Sequence, residues 1–510
     1  MKYKNLLILF VLLLVTASVS AQRGRRGSMS AKDQVTLPNG LSYLNTDVVI
    51  KFSDGNTLYC DRAIIDKKTE SCTASGNIRI KTRHGSIITG KALDYESSGG
   101  VINIKDDVVM KEKDLVMNTP SLRYESQKDI AHYNQGAEMV SGDVILTSSW
   151  GNYNGKTGLF NCYDSVVVTH PDYTIYTDTM DYSKSGFSNF KGPTDIITND
   201  HTMYCENGWY DKKKERVNLR TNAYIQMKDG QRLYGDSINY SLKSKHGEAF
   251  RNVSYYDTSR NCAVMGEYAE NNEKKGYAFF SDNAHGFMIE KADTLFVSSD
   301  TMRIFYDTHK DDSTKHSLTK VEAFRHVKIF RNDLQAICQV MLYFQSDSIL
   351  YMVDNPTLWA SGFQIDGDTV RTWFENGHPR TTLVGRNAFV TSLVPGSNAL
   401  YHQIKGRNLW GYHNEDGELS SAEVKGGKVE AIYYVIDEEK NELVGVNKSV
   451  SKVLKMYFDT GTIKSVNFVE PESTVLYPQD QLTLREQTLK GFHWLESLRP
   501  KSKWDVYKIW

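Results

Sequence analysis

Residues 86–104 contain Ser86-Ile87-Ile88-Thr89-Gly90-Lys91-Ala92-Leu93-Asp94-Tyr95, then a polar turn, then Val101-Ile102-Asn103-Ile104. Apolar and polar residues alternate on both sides of the turn, which is the period of a strand with one buried face. The alternation breaks once on the way out, at Gly90-Lys91, and once on the way back, at Asp106-Asp107. A strand bends or carries a bulge at such a break. The stretch therefore predicts two long antiparallel strands, each bent near its middle.

The unit recurs. Tyr95, Tyr124, Tyr153, Tyr182, Tyr210, Tyr240 and Tyr268 follow one another at intervals of 29, 29, 29, 28, 30 and 28 residues. A fixed period of this length marks a stacked architecture in which each unit covers its neighbours' apolar faces. Strands that all bend at one level fold their sheet over into two facing walls. The expected fold is therefore all-β, a repetitive antiparallel β jelly roll with long bent strands. Its inward faces are expected to carry Ile78, Ile80, Ile102, Ile104, Val144, Leu146, Val166, Val168, Ile225 and Met227, with intervening residues such as Lys105 and Thr169 outside. The same alternation suits either a dry core or an apolar groove. The tyrosines read as a ladder packed over the strand bends.

The periodicity loosens after Tyr268 without ending, since Ser299-Asp300-Thr301-Met302 echoes Thr177-Asp178-Thr179-Met180 and Gly367-Asp368-Thr369-Val370 echoes Gly235-Asp236-Ser237-Ile238. Helical spacing is found only near the end, over Leu482 to Leu498 with Pro500 beyond, and predicts a short helical cap on the last edge of the sheet. The first strand, Asp47 to Phe52, is then the free edge. Val48, Val49 and Ile50 would pair there with another sheet by strand addition. The expected segments are 1–21, a signal peptide; 22–45, a flexible tail; 46–384, the repeated jelly roll; and 385–510, a β extension with its helical cap.

Lys2 and Lys4, the apolar run from Leu6 to Val15 and the small-residue close Val19-Ser20-Ala21 have the form of a cleaved secretory signal. The expected compartment is the periplasm, with outer-membrane association an open extension. No cysteine follows the cleavage point, so no lipid anchor is expected there. Charge is balanced, 61 basic against 62 acidic residues, so no overall field favours nucleic acid. Of the six cysteines, none lies in a metal-ligand spacing, and only Cys60 and Cys72, on consecutive strands, are close enough to be considered as a pair. No phosphate loop, nucleophile elbow or metalloprotease motif is present. Asp106-Asp107 and Asp311-Asp312 are neighbours on a chain and point apart, and His84, His170 and His201 stand alone. An enzyme is not expected, nor a cofactor or a metal.

Leu233-Tyr234-Gly235-Asp236-Ser237-Ile238-Asn239-Tyr240 and Asn77-Ile78-Arg79-Ile80 resemble the OstA/LptA-like family, named for organic solvent tolerance and lipopolysaccharide transport. Gln403-Ile404-Lys405-Gly406-Arg407-Asn408-Leu409, Leu489-Lys490-Gly491-Phe492 and Leu498-Arg499-Pro500-Lys501-Ser502 look like the extended OstA-like proteins of the Bacteroidetes group. The resemblance implies an open, twisted β jelly roll whose groove, rather than any catalytic residue, carries or bridges lipopolysaccharide toward the outer membrane. The implied partners are the lipid A acyl chains and other envelope transport proteins. Rival readings are an accessory of the outer-membrane translocon, an exported parallel β-helix that is structural or binds carbohydrate, and a membrane β-barrel. The last lacks an apolar lipid-facing band with aromatic girdles.

Overall fold

The computed structural model describes residues 27–508 except 229, 291–292, 309–315, 438–441 and 460, and most of these residues are in antiparallel strands. The expected signal peptide lies outside the described residues. Two compact units are formed. The first comprises the residues up to Asn199 with Asn207–Lys213, the second Asp200–Glu206 with Lys214 onward.

In the first unit, β1 (Ser28–Ser30) and β2 (Asp33–Thr36) both pair with β3 (Leu41–Lys51). There follow β4 (Thr57–Asp66), β5 (Ser71–Lys81), β6 (Ile87–Glu96), β7 (Val101–Glu112) and β8 (Leu115–Glu125), each paired with the one before. Two sequence expectations fail here. Residues 28–36 are strand rather than flexible tail. They also cover the edge where Val48, Val49 and Ile50 were expected to be free: Val49 pairs with Ser30 and Ile50 with Met29, while Val48 and Ile50 are buried.

The breaks in alternation are bends of one kind. Asn45 pairs with Arg62 and Val48 with Cys60, so Thr46 and Asp47 together oppose Asp61. Thr46-Asp47, Gly76-Asn77, Asp106-Asp107, Asp164-Ser165, Thr221-Asn222, Arg251-Asn252 and Asp282-Asn283 all have two consecutive residues at positive φ. Asn, Asp and Gly predominate because they enter the left-handed region at least cost. In β8 the residue opposite the bend is Pro120, which suits a bulge because it has no N–H to lose.

A bent strand keeps its apolar residues on one side. On β7 the phase is unchanged across the bend, with Ile102 and Ile104 before it and Val108 and Met110 after it, all buried. On β6 it shifts, from Ile88 to Leu93 and Tyr95. Two walls result. The first ends at turns such as Ser53–Asn56, the second at turns such as Ser97–Gly100. Across the mouth between them the rings of Phe52 and Tyr95 lie 4.1 Å apart.

The second unit repeats this plan with longer strands. The expected break after 384 falls inside one strand, His378–Leu393. The last strand, Thr462–Tyr477, pairs with Glu442–Asp459, and is exposed along nearly its whole length. The expected helix over Leu482–Leu498 does not form. That segment holds short turns and a 3-10 turn over Glu496–Leu498; the short C-terminal helix expected from the sequence is present beyond it as α1 (Lys503–Tyr507), the only α-helix described.

Instead of capping an edge, residues 482–508 run as a strap over the outer surface of the first wall. Buried Gln403 accepts the Leu489 N–H at 2.8 Å and donates to the Gln487 carbonyl at 3.0 Å. Buried Gln364 does the same with the Leu495 N–H at 2.8 Å and the His493 carbonyl at 3.1 Å. Gln335 accepts from Arg499 at 2.8 Å, Lys328 donates to the carbonyls of Asp505 and Lys508, and Ser298 donates to that of Val506. Val394, Ile432, Tyr434 and Val446 form a small core under the strap, joined by Leu482 and Leu489.

Candidate functional site

The inner faces of the walls are where a groove would lie, and the two units differ there. In the first unit Ile78, Ile80, Ile102, Ile104, Val144, Leu146, Val166 and Val168 all point inward and are at most 3% exposed, whereas Lys105 and Thr169 point out. A cavity lined by Leu115, Met139, Val144, Leu146, Phe160, Tyr182 and Lys184 holds about 10 Å³, room for about one water and no more. In this unit the walls are in contact and the interior is a packed core.

Its mouth is latched. Glu112, at the end of the first wall, accepts hydrogen bonds from Tyr153 at 2.9 Å and Lys184 at 2.8 Å, both on the second wall. Arg83 reaches across to the Gln127 carbonyl at 3.0 Å, and Ser126 donates to Asp54. Burial raises the Glu112 carboxyl, but Lys184, Tyr153 and Ser86 together hold it below the usual range. Tyr95, Tyr124, Tyr153, Tyr182 and Tyr210 are all buried along this mouth. The recurring tyrosines thus seal the edge farthest from the bends instead of packing over them. Several end on a carboxylate: Tyr124 on Asp129 at 2.8 Å and, in the second unit, Tyr240 on Glu273 at 2.8 Å. Burial and then those carboxylates push both hydroxyls up, so they stay protonated donors.

In the second unit the inner face is only partly covered. Ile225 is buried and Met227 half-buried. On the first wall Ile329, Ala336, Leu358 and Val390 are buried, but Val264, Leu295, Val297, Ile365 and Ile404 are half-buried. On the second wall Phe280, Met302 and Met341 are buried near the bends, while Ile304, Val321, Tyr343 and Leu350, nearer the mouth, are half-buried. Their counterparts in the first unit, Ile102 and Tyr124, are at most 1% exposed. The walls still meet where Phe363 packs edge-on to Phe458 at 6.1 Å. The accessible apolar stripe therefore lies mainly beyond the residues expected from the sequence. Strand alternation located the inner face correctly but carries no information on the distance between walls.

No chemical machinery emerges alongside this surface. Among the described residues no three His, Cys, Asp or Glu side chains are grouped to hold a metal. Asp106 and Asp107 sit at a bend with Asp107 paired to Lys91, and Asp311-Asp312 lies outside the described residues. His170 stacks on Tyr173 at 4.7 Å and His84 lies 3.7 Å from Asp129. Cys60 and Cys72 are not joined: Cys60 pairs with Val48 and Cys72 with Ile65. Burial pushes the Cys72 and Cys338 thiols up to about 12, away from thiolate reactivity.

The class defined by these features is an all-β protein of repeated bent strands, a β jelly roll with apolar inner faces. The family model described as OstA-like protein matches residues 29–178, all within the first unit. No curated protein matches it. A solved structure described as LptH, the LptA homologous periplasmic component of the conserved lipopolysaccharide transport device from Pseudomonas aeruginosa, is similar at 15% identity and a TM-score of 0.20, over 22% of this chain and 85% of that one.

Proposed function

We propose that this chain is a periplasmic, non-enzymatic carrier or bridge for lipopolysaccharide, taking lipid A acyl chains against the inner face of its second unit. The observation that carries the reading is the half-exposed stripe of Val264, Leu295 and Val297 facing Ile304, Val321 and Tyr343. Covering such residues with acyl chain stabilises binding by about 0.8 kcal/mol per buried CH₂, without any directed chemistry. The OstA-like match over residues 29–178, with the lipopolysaccharide transport that the family resemblance implies, supports the substrate class. The secretory-signal form of the sequence over residues 1–21 supports the compartment.

Photo-crosslinking residues at Val264 and Val297 should capture lipopolysaccharide in cells, while those at Ile104 in the packed core and at exposed Lys105 should not. Equal capture at Lys105, or none at Val297, would remove the lipid groove from the second unit.

A further inference from the structure

The strap crosses the outside of the wall whose inner face is open. Extended backbone is what it offers and what the wall reads. Gln364 and Gln403 each bind a carbonyl and the N–H two residues on, as a neighbouring strand would, while Lys328, Lys405 and Lys448 each donate to carbonyls, with Lys405 on that of Lys490 and Lys448 on that of Glu486. Little of the strap is itself buried. Leu484 and Trp504 are exposed, and the seated side chains are Gln487, Pro500 and Val506, with Phe492 packed on Tyr401 at 5.2 Å.

Successive residues of a strand point to opposite faces. Three gripping residues, Ser298, Gln364 and Gln403, are each next in the chain to a half-buried inner residue, Val297, Ile365 and Ile404. Beside Lys328 and Gln335 the inner neighbours Ile329 and Ala336 stay covered. In the first unit the outer positions at the same place on the wall, Tyr59 and Arg79, are exposed, and there the inner faces of the two walls are in contact. An apolar wall with solvent behind it closes onto its partner, because closure removes apolar surface from water. A wall held from behind has less freedom to do so.

We infer that the strap holds the first wall of the second unit away from the second wall, and that Gln364 and Gln403 are the positioning residues that keep the groove open. This inference rests on the proposed groove but names a different structural element. The test uses the full-length chain with Gln364→Met and Gln403→Met together, which keep side-chain length and remove the bonds to the strap. Two readouts are taken: maleimide labelling of a Val297→Cys reporter, and binding of the apolar dye N-phenyl-1-naphthylamine. Labelling should slow at least tenfold and dye affinity fall at least tenfold, with the far-ultraviolet dichroism unchanged.

If the double variant misfolds, Gln403→Glu serves in its place, since it keeps the acceptor for Leu489 and loses the donor to the Gln487 and Tyr401 carbonyls; a smaller loss in both readouts is expected. In a chain ending at Gln479, a peptide of residues 480–508 added in trans should restore both signals. Unchanged or faster labelling in folded variants overturns the strap's role. Slowed labelling in a protein whose parent binds no dye supports the strap and overturns the lipid groove.

Discussion

At the scale of single residues, a corner of the sheet is made by a small side chain turned inward, followed at several corners by an acid turned outward. Cys60, Gly90, Thr119, Thr177 and Gly235 occupy the inner corner, and a Cβ on Gly90 would come within 2.5 Å of the Ile104 side chain. The acid then takes the amide of an Asn at the neighbouring bend: Asn77 donates to Asp61 at 2.9 Å, Asn222 to Glu206 at 2.7 Å, Asn252 to Asp236 at 3.2 Å and Asn387 to Asp368 at 3.0 Å. This gives the Gly-Asp-Ser signature a physical meaning. Asn252 is at φ 51, where a β-branched residue is strained by about 1–2 kcal/mol and the lost hydrogen bond adds about 1 kcal/mol. Asn252→Val should therefore lower unfolding stability by about 2–3 kcal/mol and Asn252→Gly by about 1 kcal/mol in denaturant titrations. Equal, small losses from both would show that the corner tolerates any residue. The inner glycines were legible in the sequence as breaks in alternation. The clamp was not read from it, although the first three pairs share a spacing of 16 residues that repeats with the units. The tyrosines were legible by period but misplaced, because period fixes recurrence and not which end of a strand reaches across the mouth.

At the scale of elements, strands were legible because a buried face imposes a period of two. The ends of the sheet were not. Leu482, Leu489, Phe492 and Trp494 have a spacing compatible with a helix, yet each docks separately on the wall. The backbone of the segment is satisfied partly by Gln403, at Gln487 and Leu489, and by Gln364, at His493 and Leu495, and partly by local turns such as Phe492 N–H on the Leu489 carbonyl at 3.1 Å. Among the described residues no strand pairs with the outer edge of the last one. Thr462–Tyr477 is long, exposes Ile463, Val466, Val469, Val475 and Leu476, and includes Pro471 opposite Ser451. We propose that proteins of the envelope dock on this edge rather than at Val48, Val49 and Ile50. Successive N–H groups along a strand point to opposite edges, so of Ser465→Pro and Val466→Pro one removes an outward donor. That variant should lose co-purifying envelope partners while still binding the apolar dye. Loss of partners instead on deleting residues 28–36, with both proline variants neutral, would return the docking edge to the N-terminus.

At the scale of the whole molecule, one sequence pattern yields two interiors. Alternation, bends and tyrosine period predict inward aliphatics in both units, and Ile104 in one and Val297 in the other obey it equally. What separates them is how fully the walls cover each other's inner residues. That cover depends on latches such as Glu112 with Lys184 in the first unit and on the strap in the second, and these contacts join residues 72 and about 130 positions apart in sequence. A ligand that binds one interior and not the other must stabilise them unequally. At a free concentration one hundred times its dissociation constant, a bound species gains about 2.7 kcal/mol over the unbound one, and that gain protects only the amides whose opening releases the ligand. Adding purified lipopolysaccharide to the full chain should thus slow hydrogen exchange about a hundredfold in the strands Cys262–Asn272, Asp293–Thr308 and His316–Phe330. Exchange in β5 to β8 should be unchanged. Equal slowing in both units would mean that the first interior opens to lipid as well, its tyrosine latches yielding. Slowing confined to the first unit would place the groove in Ile78 to Val168, where alternation alone had located it.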